Sequence, residues 1–442
     1  MAKGYDLVIV GGGPAGLMAA KVAGENGLKT ALLERKTDMT KIRRVDGGNL
    51  SPVNEYYFGQ ITTFNPAAKR INFPVCGFSI PYEGPYRDVY GFNLFSPGGK
   101  RITFGDREKQ KKDPERNRVG IAMDKEVLLQ GLLDDARAGG VNIFPGTNVT
   151  GIEKKESGVV VTANGEPFES SFVIAADGVN SRITRLMNMN KDRTFYATYQ
   201  DYTWSFEDID IPEADESISF IFTGYGTFSV LSCSKEGHFH VGVSSFNPRK
   251  SNLVAKLNKF VYEDRVYSRW FKGGRTTGEY ACVCTELSPI KEPFKDNVLF
   301  IGDAAWLQEM SNAGAICCGW KAANAVTLAL LDGKINKEGV SSYQEWWEKY
   351  FYGQYGSMEF KPITMQDFLN ADDIDYLADL IKEPLKPTLN FYKLFSFVGE
   401  TFGPLFTVIE KERPDIMEKL MQIVDQMDEI EKEARKAGFP NR

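Results

Sequence analysis

The sequence predicts an α/β fold with helices wound over a largely parallel sheet, and three separated stretches carry that prediction. The first lies within residues 5–34. Asp6-Leu7-Val8-Ile9-Val10 reads as a buried strand and Gly11-Gly12-Gly13-Pro14-Ala15-Gly16 as the turn after it. Residues 17–24 then read as a helix, and Thr30-Ala31-Leu32-Leu33-Glu34 as a second strand ending in a carboxylate. The second stretch, Phe172-Val173-Ile174-Ala175-Ala176-Asp177-Gly178, is a strand closing on an acid and a glycine. The third runs from Asn297 through Val298-Leu299-Phe300-Ile301 into Gly302-Asp303-Ala304-Ala305, and a helix follows from Asn312 to Leu331. Each stretch puts polar chemistry at the C-terminal end of a strand, where open α/β sheets bind ligands.

Each part of the first stretch has a physical use. Gly11 makes the tight turn, Gly13 lets a pyrophosphate approach the backbone, and Gly16 lets the helix pack closely on the sheet. Pro14 and Ala15 lie in the turn before that helix, whose unpaired N–H groups and partial positive charge face the phosphates. Glu34 lies about 20 residues on, where an acid accepts hydrogen bonds from an adenosine ribose. The order points to a dinucleotide, but spacing alone does not separate FAD from NAD. In the third stretch, small residues admit a bulky ligand, and the helix N-terminus favours a negative charge such as that of a reduced flavin. A buried Asp303 costs free energy unless hydrogen-bonded, which assigns it to a ligand.

Composition bounds the rest. A chain of 442 residues is long for one core, so two or more domains are expected. The net charge of −6 argues against nucleic acid as a partner. No uninterrupted apolar run approaches the roughly 18 residues of a membrane span, and Met1 to Lys3 lead straight into the first strand with no room for a signal peptide. A cytoplasmic location is expected. Six cysteines form no C-x-x-C pair and only two histidines occur, so no metal site is expected and the cysteines read as free, mostly buried thiols.

Between the motifs, the basic stretch at 35–44 leads into Val45-Asp46-Gly47-Gly48-Asn49-Leu50-Ser51. It reads either as a solvated connection or as a loop closing over the cofactor, with Arg35 or Arg44 near phosphate or ring. Residues 52–118 alternate aromatics, prolines and glycines as short strands do, and the charged run at 105–118 reads as an exposed loop. Residues 124–139 have helical apolar spacing, and 193–285 are strand-like. His238 and His240 alternate along one such strand with no evident acid to orient a base, which favours a structural role. From Ser341 onward the chain is helical and aromatic. Those aromatic faces read as core or as a homo-oligomer interface, with a greasy tunnel or peripheral membrane contact as the sharper alternative.

Together, GGGPAG with Glu34, ADGVNS at 176–181 and GDAA before a small-residue helix resemble the FAD-dependent, p-hydroxybenzoate hydroxylase-like flavoprotein superfamily. Within it they are most similar to the geranylgeranyl reductase family, over roughly residues 5–335. The resemblance implies a Rossmann-type FAD-binding domain, an inserted β-rich substrate domain and a C-terminal helical region. These would occupy 1–75, 120–190 and 286–340; 76–119 and 191–285; and 341–442. It implies that Gly11, Gly13 and Gly16 hold the pyrophosphate, that Glu34 meets the ribose and that the Val149 backbone meets the adenine. Gly302 and Asp303 would bind the pyrophosphate and ribityl region, Gly314, Ala315 and Ile316 would face the flavin ring, and Asp177 and Gly178 would support the site.

The departures bear on activity. Family members often carry Cys-Gly-Gly where this chain has Asp46-Gly47-Gly48, and Tyr225 is followed by Thr227, Ser229 and Val230 in place of the Tyr-x-Trp-x-Phe-Pro motif. Trp306 and Met310 stand where aromatic hydroxylases carry His and Pro. The expected activity is a flavin-dependent reductase or dehydrogenase acting on a carbon–carbon bond of a hydrophobic, isoprenoid-like or acyl substrate. A monooxygenase or an FAD electron-transfer subunit are the alternatives. Asp46, and after it Tyr225, are the candidate proton donors. NAD(P)H and a ferredoxin or flavoprotein are equal candidates for the electron donor.

Overall fold

The computed structural model describes residues 3–46, 48–246, 251–306, 311–353, 368–390, 400–423 and 425. β1 (Lys3–Val10) and β2 (Thr30–Glu34) pair in parallel, Val8 against Ala31 and Val10 against Leu33. Their apolar runs are buried on both faces, as helix-covered parallel strands require. α1 (Pro14–Glu25) makes the crossover, and α2 (Lys125–Ala138) packs beside it through Leu128, Leu129, Leu132 and Leu133. Strand Glu166–Ala175 flanks β1, and Val298–Phe300 runs parallel to its C-terminal half, with Val173 opposite Val298. Asn142–Pro145 flanks β2, and the hairpin over 149–163 extends the other edge.

The second sheet has seven strands, in the order Arg101–Phe104, Gly91–Phe95, Ser217–Thr223, β4 (Gly226–Ser232), β5 (His238–Ser245), β3 (Phe195–Glu207) and β6 (Arg275–Leu287). Alternation along these strands sorts the side chains. Trp204, Phe206, Phe228, Val230, Val241 and Val243 form one core with the helical segment at 253–271. Asp201, Thr203 and Ser205 point the other way, beside Ser244, Gly242 and His240 of β5, and Tyr280 of β6 lies opposite Thr203.

Several expected boundaries shift. The meander over 63–81 crosses residue 75 and buries Phe64, Ile71, Phe73 and Ile80 in the nucleotide-domain core, so it belongs there as a unit. The charged run at 105–118 is not a plain loop. It folds into turns Arg107–Gln110 and Pro114–Asn117, anchored by Arg118, which is 2% exposed and 3.1 Å from Asp88. In the C-terminal region, Tyr343, Trp346, Trp347 and Phe351 are buried in the nucleotide-domain core. Tyr343 Oη donates to Phe300 O and Trp347 Nε1 to Ile290 O. Residues 341–351 are thus packing rather than tunnel or membrane contact. A separate small cluster joins Ile374, Leu377, Ile409 and Ile416, over a fully buried Asp373 that pairs with Arg413 and Lys419.

α3 (Asn312–Leu331) is long and apolar enough to cross a membrane by length and composition, yet in this fold it is the core helix beside α1. A Cβ at Gly319 would fall 2.2 Å from Ala15 O, so only glycine permits that approach.

Candidate functional site

The loop between β1 and α1 is shaped by backbone packing. A Cβ on Gly16 would fall 1.9 Å from Gly11 O, and one on Gly11, whose φ is +111°, would fall 2.2 Å from Ala176 O. Side chains at either position would push the turn out of the sheet. Around Gly13 the space is open, and α1 has no side-chain cap there. Its first amides therefore face open space, where an anion can be accepted. Glu34, 7% exposed, accepts from Gly12 N–H at 2.6 Å and from Lys36 N–H at 2.8 Å. Each of its oxygens keeps a second lone pair for a hydroxyl.

Two further strand ends close on this loop. Gly302 stands against Ala15 and starts the turn Gly302–Ala304 that carries Asp303. Asp303 has no hydrogen-bond partner among the described residues, and burial pushes its carboxyl up to about 6 despite the nearby Arg44 and Lys125. Asn312 Nδ2, in the first turn of α3, donates to Asn49 O at 2.8 Å, while Asn49 Oδ1 is buried without a partner among the described residues. Open helix amides, an unmatched carboxylate and an unmatched amide oxygen fit a ligand with phosphates, ribityl hydroxyls and a heteroaromatic ring.

The segment at 41–50 is strapped to the start of α2. Glu126 accepts from Ile42 N–H and Lys41 Nζ, both at 3.0 Å, and Lys125 pairs with Asp46. Gly48 N–H donates to Asp46 Oδ1 at 3.1 Å, and Met123 N–H donates to Gly48 O at 2.7 Å. The backbone at Gly48 has φ +60°, which glycine supplies without strain. Across from this segment lies the polar face of the second sheet. Between them is a cleft of about 230 Å³, with Arg44, Asp46 and Lys125 on one wall and Thr203, His240 and Tyr280 on the other.

Two family models match the chain, an FAD binding domain over residues 4–51 and an FAD dependent oxidoreductase over 116–326. The digeranylgeranylglycerophospholipid reductase of Methanococcus vannielii is 24% identical over 451 residues, covering 96% of this chain and 99% of that one. The chain is an FAD-dependent oxidoreductase, similar over nearly its whole length to reductases of the geranylgeranyl type. The protein of that name from Methanoculleus marisnigri is also 24% identical, over 96% and 99% of the two chains. Among solved structures, a geranylgeranyl bacteriochlorophyll reductase-like protein from Thermoplasma acidophilum aligns with a TM-score of 0.70 at 19% identity, over 93% of this chain and 100% of that one. A p-nitrophenol 4-monooxygenase from Pseudomonas putida aligns at 0.61 and 15%, over 86% and 94%, a likeness of fold alone.

In this flavoprotein the expected residues fall into three groups. Gly11, Gly13, Pro14, Ala15, Gly16, Glu34, Gly302 and Asp303 gather around the β1–α1 turn, near Arg44, and the Asn49–Asn312 contact brings in the start of α3 with Gly314, Ala315 and Ile316. Others serve the loops around it. The Asp177 carboxylate accepts from Ser181 Oγ at 2.5 Å and from the amides of Arg182 and Ile183 at 2.7 and 3.1 Å, and Arg182 Nη1 donates to Val149 O at 3.1 Å. Asp177 thus caps the turn after Gly178 instead of reaching a ligand. Arg35 is exposed at the end of β2, and Trp306 packs edge-on to Phe58 and Phe351. Gly47 and Met310 lie outside the described residues.

The two proton-donor candidates fare differently. Asp46 lines the cleft, but it is paired with the Lys125 ammonium and accepts the Gly48 amide, so it stands as an acceptor instead of a free acid. Tyr225 sits at the hairpin tip before β4. Its hydroxyl donates to Asp264 at 2.6 Å, Lys259 lies over its ring, and it packs toward Phe228 on the helix-covered face. It is eight residues, roughly 25 Å of strand, from the Cys233 end of β4 that reaches the cleft. Lys125, Thr203, Tyr280 and the buried Asp201 went unnoticed in the sequence. The one available signal was the polar alternation D-Y-T-W-S in β3.

Proposed function

We propose that this flavoprotein reduces carbon–carbon double bonds in the isoprenoid chains of a glycerolipid. The observation that supports it is the near full-length match to reductases named for such a lipid, combined with a cleft between the FAD-side loop and the second sheet. Bound FAD supplies two-electron hydride chemistry. The chain's own residues bind and orient it: glycine amides at the pyrophosphate, Glu34 at the ribose, Asp303 at the ribityl chain. Lys125 and Glu126 hold the 41–50 segment in place beside the ring. No second strand–glycine–helix nucleotide motif occurs in the sequence, so the electron donor, NAD(P)H or a small redox protein, meets the flavin transiently. A lipid substrate would bring the protein to a membrane surface from the cytoplasmic side.

The test is anaerobic. Chemically reduced holoenzyme is mixed with a geranylgeranyl glycerophospholipid in detergent micelles, and flavin reoxidation is followed alongside the product mass. The expected result is reoxidation with one pair of hydrogens added per reduced bond. Reoxidation only by oxygen, with an oxygen atom appearing in the product, would overturn the reading in favour of a monooxygenase.

A further inference from the structure

We propose that His240 donates the proton that saturation of a substrate double bond requires, a role resting on the reductase reading above. Most titratable groups of the cleft are already committed to other partners. Asp46 and Lys125 satisfy each other. Asp124 caps α2 by accepting from the amides of Glu126 and Val127, and Glu126 is committed to Lys41 and Ile42. Burial pushes the Cys233 thiol up to about 12, out of range as an acid near neutrality. His238, the other histidine, lies 3.3 Å from Glu207 and does not line the cleft. That leaves His240.

Its ring is placed by the sheet. Ser205, directly opposite on β3, puts Oγ 3.0 Å from Nδ1, and Tyr280 meets the ring edge-on at 6.1 Å between centroids. Nε2 has no protein partner among the described residues, so it is the nitrogen left for a ligand. Gly242, two residues on, keeps the neighbouring floor low. A Cβ there would fall 2.7 Å from Thr203 Oγ1 and 3.1 Å from Ser229 Oγ. Beneath it, Asp201 accepts from Thr203 Oγ1, Tyr199 Oη and Ser244 Oγ at 2.7–2.8 Å, a rigid platform for the strand pair that carries the imidazole. Burial lowers the His240 pKa below the ordinary imidazole value while Asp46 across the cleft opposes the shift. The protonated ring is thus a better acid than a solvated histidine.

The step balances. The π bond opens, one carbon takes a hydride from the reduced cofactor, which is oxidised by two electrons, and the other carbon takes the Nε2 proton. The neutral imidazole is then reprotonated from water.

The experiment uses holoenzyme, with His240→Asn and His240→Gln beside a His238→Asn control. Anaerobic reoxidation of reduced enzyme by the prenyl lipid should slow by about 10²-fold or more in both His240 variants, with FAD content and melting temperature unchanged. His238→Asn should match wild type. Independently of turnover, imidazole NMR of a chain with only two histidines should give one titration below the ordinary range. That titration should move lower in Asp46→Asn, as loss of a facing carboxylate requires, and Ser205→Ala should perturb the same resonance. Wild-type reoxidation rates in a folded His240 variant would overturn the proposal and leave the reductase reading standing. If wild-type holoenzyme itself fails to react with the lipid, both fall.

Discussion

The flavin cradle and the sheet that faces it are built on opposite principles. In the cradle the backbone sets the shape: Gly11 and Gly16 bring chain segments so close that a Cβ would collide, Gly302 turns at φ +57° against Ala15, and the open N-terminus of α1 supplies partial positive charge. On the facing sheet, side chains from three strands make the surface, and Asp201, Thr203, Ser244, His240 and Tyr280 come together only when β3, β5 and β6 are set in register. One region tolerates almost no substitution at its glycines. The other is a polar network whose parts can be exchanged singly at graded cost.

The largest effect should come from the cradle. Gly16→Val places methyl groups where Gly11 O already stands, so the variant should retain essentially no flavin after gel filtration, read from visible absorbance. Retention of FAD would mean the turn can open, and the contrast between the regions would fail. Next, Asp303→Ala removes a carboxylate matched to the ligand instead of to the protein. Loss of a charged hydrogen bond costs about 1.5–3 kcal/mol, so FAD affinity should fall roughly 10- to 100-fold by fluorescence titration.

On the facing sheet the losses should appear in stability, not in flavin affinity. Asp201→Leu leaves Thr203, Tyr199 and Ser244 without their shared acceptor and should cost about 1–3 kcal/mol in denaturant melts, with FAD affinity unchanged. A fall in FAD affinity would couple the two regions.

The smallest expected change is a gain, and it depends on pH. Glu286 of β6 is 8% exposed, its Oε2 has no partner, and burial pushes its carboxyl up to about 7. Below the ordinary glutamate range the folded and unfolded chains both hold the proton. As pH rises toward 7 the unfolded chain releases it first, so this group lowers stability progressively and then levels off. Glu286→Gln should therefore be more stable than wild type by roughly 1–2 kcal/mol at pH 8, with the difference closing toward pH 4, measured by thermal melts across that range. A gain independent of pH would point to packing instead.

The cradle was legible because its signals are local. Three glycines, a helix start and Glu34 fall within one strand–helix–strand unit, and each is constrained by backbone geometry that any reader of the chain can apply. Asp303 was legible as a polar break in a buried strand. Asp177 was located at the right strand end, but its saturation by Ser181 and the next two amides depends on how the following turn folds. Tyr225 was misjudged because a residue at a hairpin tip can face either side, and here Asp264 and Lys259 drew it to the helix-covered one. The strand that carries His240 has no acid of its own. Asp46 faces it across the cleft from nearly 200 positions away in the chain.

The sequence by itself determined the nucleotide fold, the cofactor class and the resemblance to geranylgeranyl reductases, since these rest on short-range patterns of glycine, apolar runs and strand-terminal acids. The tertiary structure decided which side chains share the cleft: that Lys125 neutralises Asp46, and that His240, held at Nδ1 by Ser205, stands over hydroxyls gathered around Asp201. The physical reason is that strand register and sheet facing are set by the whole core. Residues far apart in the chain become partners only when the burial of both sheets fixes which face each strand turns inward.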